Sequence, residues 1–520
     1  MTRATAQPPA PAPAGEAPWE PVTAASSHTW RGTRSREHGP RDAALLVLGC
    51  VALAALTLLL PAAPTYDPWS WINWGREVAA LDLNTVAGPS WKPLPVIFTT
   101  VFSFAGDAAP ELWLVVARAG GLLALVMAWR LAARLAGPAA GAVAAAALLL
   151  ADGWVYTVGL GNSEGLLIAF ALLAVERHLD GRLDHAFALA VGAALLRPEA
   201  WPFLGAYAVW VWLRRPAARP LVALGLAVVP LLWFLPELWG SGQLLRSSDR
   251  AATPDSLSPA FADQPALSVI ARAAAVVPVP ALIGAVLAVG LAAGTPRRFR
   301  SAATLGLGAL AGAWLALVAL MTQAGFSGNL RYVLLPVAVT CVLGGVGWAR
   351  LASALAEMAR ARFGEGRSPR LAGLAVLAVG ALSVAPFAPR LAEAAPRELA
   401  KLGYEAELYD SLEVAVERAG GPAGVLACGR PVAGPYQVPG LAWRLRAHGI
   451  VVGLDAREAG TVFRAPPVRG ARREPTLPSG SSRLRTVARA GPWEVHAACR
   501  PADGRTDASR RAPFIAERLP

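Results

Sequence analysis

Repeated apolar runs separated by short polar segments constrain this chain more than any other feature. Eleven such runs cover roughly residues 43–61, 112–133, 138–152, 162–178, 186–197, 200–214, 219–239, 267–293, 301–321, 332–353 and 371–388. About 20 apolar residues cross a bilayer as a helix, because no water is present there to pair the backbone N–H and C=O groups. The chain is 55% hydrophobic and 16% charged, whereas an ordinary soluble domain is about 25% charged. The expected class is an α-helical polytopic membrane protein with about 11 membrane helices. Several runs are too short for a full crossing. The pair 186–197 and 200–214 reads as a membrane-embedded hairpin of two short helices turning at LLRPEAW.

The net charge of +13 does not point to nucleic acid, because the arginines gather in short segments between apolar runs. From a cytoplasmic N-terminus, the inner segments hold Arg130 and Arg134, Arg177 and Arg182, Arg214, Arg215 and Arg219, Arg297, Arg298 and Arg300, then Arg350, Arg360, Arg362, Arg367 and Arg370. The outer segments carry far fewer. Arg31, Arg34, Arg36 and Arg41 precede the first run and hold that end in the cytoplasm. The first run reads as an uncleaved helix. Its leading tail is longer than a signal-peptide n-region, and no small-residue cleavage site precedes Tyr66. The expected organisation is a disordered cytoplasmic tail (1–41), a transmembrane domain (42–390) and an extracytoplasmic α/β domain (391–520), in a multi-pass protein of the plasma membrane.

In the C-terminal part, YEAELYDSLEVAVERAG has helical spacing and ends at Gly-Gly. GVLACG and GIVVGL read as short buried strands, PYQVPGLAWRLRAHG as a helix between them, and WEVHAAC as a further strand. Cys428 and Cys499 form a disulfide in an oxidising compartment, or else remain two free buried thiols. Cys50 and Cys341 lie in apolar runs, and no CxxC or His/Cys cluster calls for zinc. A requirement for a divalent metal is left open.

The segment Thr65–Thr100, TYDPWSWINWGREVAALDLNTVAGPSWKPLPVIFTT, follows the first run and reads as an amphipathic outer loop. Asp67 is either a general base at the membrane–water boundary or a helix N-cap before Pro68. Trp69, Trp71 and Trp74 fit an interfacial aromatic belt. Trp91 could line a sugar or lipid site, and Lys92 could hold a lipid phosphate or make generic headgroup contacts. Arg197 and Glu199 lie within an apolar stretch, where charge is costly. They read either as site residues or as an ion pair capping two short helices. Glu164 is a site residue or a first-turn acid. Arg331 is a second phosphate-binding candidate, with Tyr332 beside it. The polar loop 239–266 is long enough to act as a lid, with Arg246, Asp249 and Arg250 as candidates.

An Asp just after the first helix (YDPWSW), short embedded helices with an LLRPEA turn, a longer loop after the seventh run and a late NLRYVLLP segment occur together over residues 43–390. In this combination the chain resembles the GT-C superfamily of polytopic glycosyltransferases, closest to its protein O-mannosyltransferase-like bacterial members. The resemblance implies a polyprenyl-phosphate sugar as donor substrate and an acceptor (glycan, lipid or protein) at the outer face, with membrane lipids as surroundings. It implies Asp67 as general base, with Lys92 or Arg331 at the donor phosphate. Many members carry an acidic pair in the first loop. Here Asp67 is followed by Pro68, and Glu77 comes ten residues later. Two other classes compete: a lipid or sugar transporter or flippase without covalent chemistry, which inverted repeats would mark, and a non-catalytic membrane scaffold.

Overall fold

The computed structural model describes residues 40–61, 63–254, 258–294, 301–363, 388–478 and 483–499. By internal contacts the chain separates into Met1–Ala43 and Ala44–Pro520. Of the first unit only residues 40–43 are described, as the opening turn of a helix. The helices are α1 (Pro40–Leu56), α2 (Tyr66–Ala79), α3 (Pro93–Phe102), α4 (Ala109–Ala136), α5 (Pro138–Leu149), α6 (Trp154–Gly159), α7 (Glu164–Leu179), α8 (Leu183–Ala194) and α9 (Trp201–Arg214). They continue as α10 (Arg219–Ser241), α11 (Arg246–Ala251), α12 (Pro265–Val276), α13 (Val279–Ala293), α14 (Ala302–Gln323) and α15 (Leu334–Phe363).

Ten of the eleven expected runs coincide with a helix or helix pair. The eleventh, 371–388, falls almost wholly outside the described residues. Among the described residues, five helical stretches are long and apolar enough to cross a membrane: Arg41–Leu59, Pro93–Ala136, Pro216–Ser241, Ala302–Gln323 and Leu330–Arg362. The expected run 267–293 is two helices, α12 and α13, bent by 105°, and they make a sixth span if taken as one. Pro278 and Pro280 explain the break, since each lacks the N–H that would continue the helix. The chain is a multi-pass membrane protein in which short helices such as α5 and α8 pack among the longer ones. Glycine sets the closest approach. A Cβ on Gly347 of α15 would lie 1.7 Å from the Gly284 carbonyl oxygen of α13, and one on Gly345 would lie 2.1 Å from that of Ala140 on α5.

Residues 65–100 are not a loop. They form α2 and α3, joined by a connection over 80–92. The tryptophans expected at an interface, Trp69, Trp71 and Trp74, are core residues, as is Trp91; each is at most 3% exposed. Trp71 meets Trp113 edge-on at 5.5 Å, Trp74 lies against Trp91 at 5.4 Å, and Trp69 lies against Tyr409 at 5.4 Å. The difference arises because α2 is enclosed on all sides, by α4 at Trp71, by the 80–92 connection at Trp74, and by a later part of the chain at Trp69.

That part begins with α16 (Ala388–Arg418) and α17 (Gly421–Ala427) and includes α18 (Val438–Leu445). Its four-stranded sheet has the order β1 (Pro431–Ala433), β2 (Thr461–Arg464), β4 (Trp493–Ala497), β3 (Arg485–Ala490). Strands β1 and β2 are parallel, and the other pairs are antiparallel. The predicted helix around 438–445 and the strand at WEVHA are present. GVLACG is not a strand. Pro422, at the first helical positions, starts α17 there. GIVVGL is a 3₁₀ turn over Gly449–Val451, reaching the sheet through a single bridge, Val432 to Gly453. Cys428 and Cys499 are joined as a disulfide with Cα atoms 5.6 Å apart, linking the end of α17 to the chain beyond β4.

The C-terminal residues dock on α2 through polar contacts that a helix cannot satisfy alone. Asn73 donates to the Pro439 carbonyl at 2.8 Å, and Arg76 donates to that of Ala447 at 3.1 Å. His448 sits 3.0 Å from Glu77 and 3.1 Å from Asp82. The adjacent Glu77 carboxylate, and then Asp82, hold the His448 imidazole above its ordinary range, and burial pushes the Glu77 carboxyl up. In both cases the folded state holds the proton more tightly than the unfolded chain. His448 therefore stabilises fully below its ordinary pKa of about 6.5, and that contribution is lost as pH rises through the folded value. Glu77 acts in the same direction, with its loss beginning above the ordinary carboxyl range. Amide exchange of residues 438–451 is expected to quicken between about pH 6 and pH 8, beyond its intrinsic base dependence. His448→Gln should flatten that change. Stronger protection at the higher pH would contradict the contact.

Candidate functional site

Five separated segments bring charged groups to one end of the helix bundle. Asp67 sits in the first turn of α2, whose N-cap is Thr65, so the aspartate is not itself the cap. Lys92 is the N-cap residue of α3, with Pro93 fixing the next turn. Asn162, Ser163 and Glu164 form the entry to α7. Arg197 and Glu199 occupy the turn between α8 and α9. Arg331 and Tyr332 lie in the 3₁₀ turn that opens α15, where the Asn329 side chain accepts from the Arg331 N–H at 3.1 Å. Each position is a helix terminus or a break. Such sites leave backbone groups unpaired and let polar side chains reach inward.

Arg331 Nη1 donates to Asp67 Oδ2 at 2.9 Å and to Asn162 Oδ1 at 2.6 Å. Lys92 Nζ donates to Ser163 Oγ at 3.2 Å and stands 4.0 Å from Glu164 Oε1. Arg197 pairs closely with Glu164 through Nη2, and its Nη1 is 3.8 Å from Glu199 Oε1. Aromatic faces complete the shell, with Arg197 4.4 Å from the Tyr332 ring centroid and Lys92 4.9 Å from that of Trp71. Asp67, Lys92, Glu164, Arg197 and Glu199 are all buried. Burial and, next, Arg197 bring the Lys92 ammonium down to about 7 against the pull of Glu164 and Asp67. Burial pushes the Asp67 carboxyl up, but Arg331 and then Lys92 outweigh it and hold that group below the ordinary carboxylate range.

The expected residues Asp67, Lys92, Glu164, Arg197, Glu199, Arg331 and Tyr332 thus meet. Trp91 does not join them as a ligand-lining ring. Its indole N–H donates to the Leu232 carbonyl at 3.0 Å, and its ring lies on Trp74. Of the lid candidates, Arg246 is buried and donates to the carbonyls of Pro89 and Gly88 at 2.8 and 2.9 Å. Two residues had no role in the sequence reading: Asn162, which orients Arg331, and Glu237, fully buried near the end of α10. Glu237 carried a signal, a lone acid in the apolar run PLLWFLPELW. Arg197 Nε, Glu164 Oε2 and Glu199 Oε2 have no protein partner among the described residues. Among those residues, no three His, Cys, Asp or Glu side chains are grouped to hold a metal ion. The cluster can seat an anion on Lys92 and Arg331 and present a carboxylate beside it.

The crystal structure of ArnT from Cupriavidus metallidurans in the apo state is similar to this chain at a TM-score of 0.55 and 16% identity. ArnT from the same organism bound to undecaprenyl phosphate is similar at a TM-score of 0.52 and 17% identity. Each comparison covers 88% of this chain and 98% of the other. The Archaeoglobus fulgidus oligosaccharyltransferase tethered with an acceptor peptide is similar at a TM-score of 0.48 and 13% identity, over 82% of this chain and 69% of the other. No family model and no curated protein matches the chain.

The Glu164–Arg197 pair tests the electrostatic design. Glu164→Gln or Arg197→Gln strands a buried charge and should each cost about 3–5 kcal/mol of stability. The double variant should lose less than the sum of the two. Thermal unfolding in detergent measures all three, and additive losses would show that the pair is not coupled.

Proposed function

We propose, from the GT-C fold of this chain, that it is a membrane glycosyltransferase moving a sugar, mannose-like or other, from a polyprenyl-phosphate donor to an acceptor hydroxyl. The observation that carries this reading is the convergence of Asp67, Lys92 and Arg331 from distant segments. The likeness to ArnT, seen in one structure with undecaprenyl phosphate, agrees with it. The acceptor oxygen bonds to the anomeric carbon of the sugar as the carbon–oxygen bond to phosphate breaks, with inversion. The hydroxyl proton goes to Asp67, and the leaving group departs as the lipid phosphate. Lys92 and Arg331 offset the charge that grows on that phosphate.

The ion pair between Asp67 and Arg331 gives the sequence of events a physical logic. While Arg331 donates to Asp67, the carboxylate is a weak base. A donor phosphate competes for Arg331, and losing that partner raises the proton affinity of Asp67 when the substrate is in place. The orphaned Arg197 Nε offers a further donor nearby.

The proposed address is the outer face of the plasma membrane, with the N-terminus cytoplasmic. Arg130 pairs with Glu176 at 2.9 Å and Arg215 pairs with Asp184 at 3.0 Å. These arginines lie at the other end of α7 from Glu164, about 20 Å away by helix rise. Cation-rich ends face the cytoplasm, which leaves the Asp67 end outside. The C-terminal residues would then help to seat a glycan, lipid or protein acceptor.

Asp67→Asn should lower turnover of a polyprenyl-phosphate sugar by roughly 10²–10⁴-fold, compared at a temperature where the variant is fully folded, since the change also removes the ion-pair partner of Arg331 and lowers stability. Sugar transfer by the detergent-purified protein is the readout. Full activity in a folded Asp67→Asn protein would sink the base assignment. Failure of the parent protein to consume any such donor would sink the enzyme reading.

A further inference from the structure

Trp91 and Lys92 are neighbours in sequence, yet only Lys92 enters the ion cluster. What holds the lysine there is a second buried polar centre built on α10. Pro236 lies within this helix and has no N–H, so the carbonyl of Leu232 four residues earlier lacks its helical donor. Trp91 supplies one, its indole N–H reaching that oxygen at 3.0 Å. Glu237 follows and is fully buried. Its carboxylate accepts from Thr85 Oγ1 at 2.9 Å, from the Trp91 backbone N–H at 3.3 Å and from Arg246 Nη1 at 3.4 Å. The Ser247 hydroxyl donates to the same carboxylate and accepts from the Trp91 N–H at 2.7 Å. The backbone is tied as well, with Thr85 N–H donating to the Gly240 carbonyl at 3.0 Å. Only glycine allows that approach, since a Cβ on Gly240 would lie 2.9 Å from the Thr85 side chain. The Thr85–Trp91 segment is thereby clamped between the end of α10 and the start of α11.

We propose that Glu237 is a positioning residue that holds Lys92 in the anion site by locking Trp91 to the α10–α11 corner. Lys92 has little freedom of its own. The clamped Trp91 precedes it, and α3 begins immediately after it, with Leu94 N–H bonded to the Leu195 carbonyl at 3.3 Å. Releasing the clamp lets the lysine leave Ser163 and Glu164 for solvent. A buried carboxylate of this kind accepts several donors at once, whereas an apolar replacement satisfies none. The value of this lock to catalysis rests on the donor-phosphate reading of Lys92, but its effect on the lysine itself does not.

Lys92 and Lys401 are the only lysines in the chain. In a Lys401→Arg background, the acetylation rate of Lys92 by acetic anhydride, followed by mass spectrometry on the folded full chain in detergent, reports its accessibility. Glu237→Leu should raise that rate by about tenfold or more. Glu237→Gln keeps an acceptor for the Trp91 N–H and should stay near the parent. Binding of undecaprenyl phosphate should weaken with Glu237→Leu when Lys92 is present and show no further change in a Lys92→Met protein. A general structural defect would weaken both alike. Unchanged Lys92 acetylation in folded Glu237→Leu overturns the proposal. If that variant does not fold, Ser247→Ala must give the same direction of change, and no change there overturns it equally. A parent protein that does not bind undecaprenyl phosphate refutes the donor reading alone, because acetylation still decides the positioning role.

Discussion

A fully buried carboxylate at a helix start, Glu164, requires compensation, and much of the bundle meets that requirement. An unpaired charge at such depth is expensive, so the helix entry is stable only where cations are brought to it. Arg197 arrives from the α8–α9 turn and Lys92 from the start of α3. Arg197 in turn lies on Tyr332, beside Arg331, which reaches Asp67. Five helix termini therefore converge on one group of charges. That arrangement sets cations beside a carboxylate, the juxtaposition on which the proposed group transfer rests.

The same logic of unsatisfied backbone recurs outside the ion cluster. Pro236 frees a carbonyl on α10, and Trp91 answers it. The N-terminal amides of α6 have no helical acceptor, and Glu398 on α16 takes the N–H groups of Gly153 and Tyr156 at 2.5 and 3.0 Å. Asn73 and Arg76 reach carbonyls of the α18 region. Through these contacts the C-terminal residues form a cover over α2, the helix that carries Asp67. Tyr436 meets Tyr66 edge-on at 6.0 Å, one residue from that aspartate.

Much of the site was legible because charge inside apolar sequence is rare and conspicuous. Arg197, Glu199 and Glu164 stand out for that reason, as do Lys92, one of two lysines, and Arg331 at the start of an apolar run. Asn162 and Ser163 carry no such signal, because a neutral polar residue at a helix entry is equally an ordinary cap. The tryptophans were misjudged because an interfacial belt and a covered helix have the same composition. What separates them is tertiary packing, on α4 for Trp71, on Trp91 for Trp74, and for Trp69 on α18, more than 350 residues further along the chain. GVLACG was misjudged as a strand because short apolar runs do not distinguish strand from helix, and the Gly-Pro start decided it.

By itself the sequence determined the membrane class, the positions of the long helices, the turn at Pro198, and the residues too costly to bury alone. These are consequences of local chemistry, namely apolar length, missing N–H groups and isolated charge. Tertiary structure alone decided which charge meets which partner, that Arg331 holds Asp67, and that Trp91 serves Lys92 from behind. Those outcomes depend on contacts between residues 33 to 264 positions apart. No local preference encodes such pairings, because burial makes them favourable only after the helices have packed.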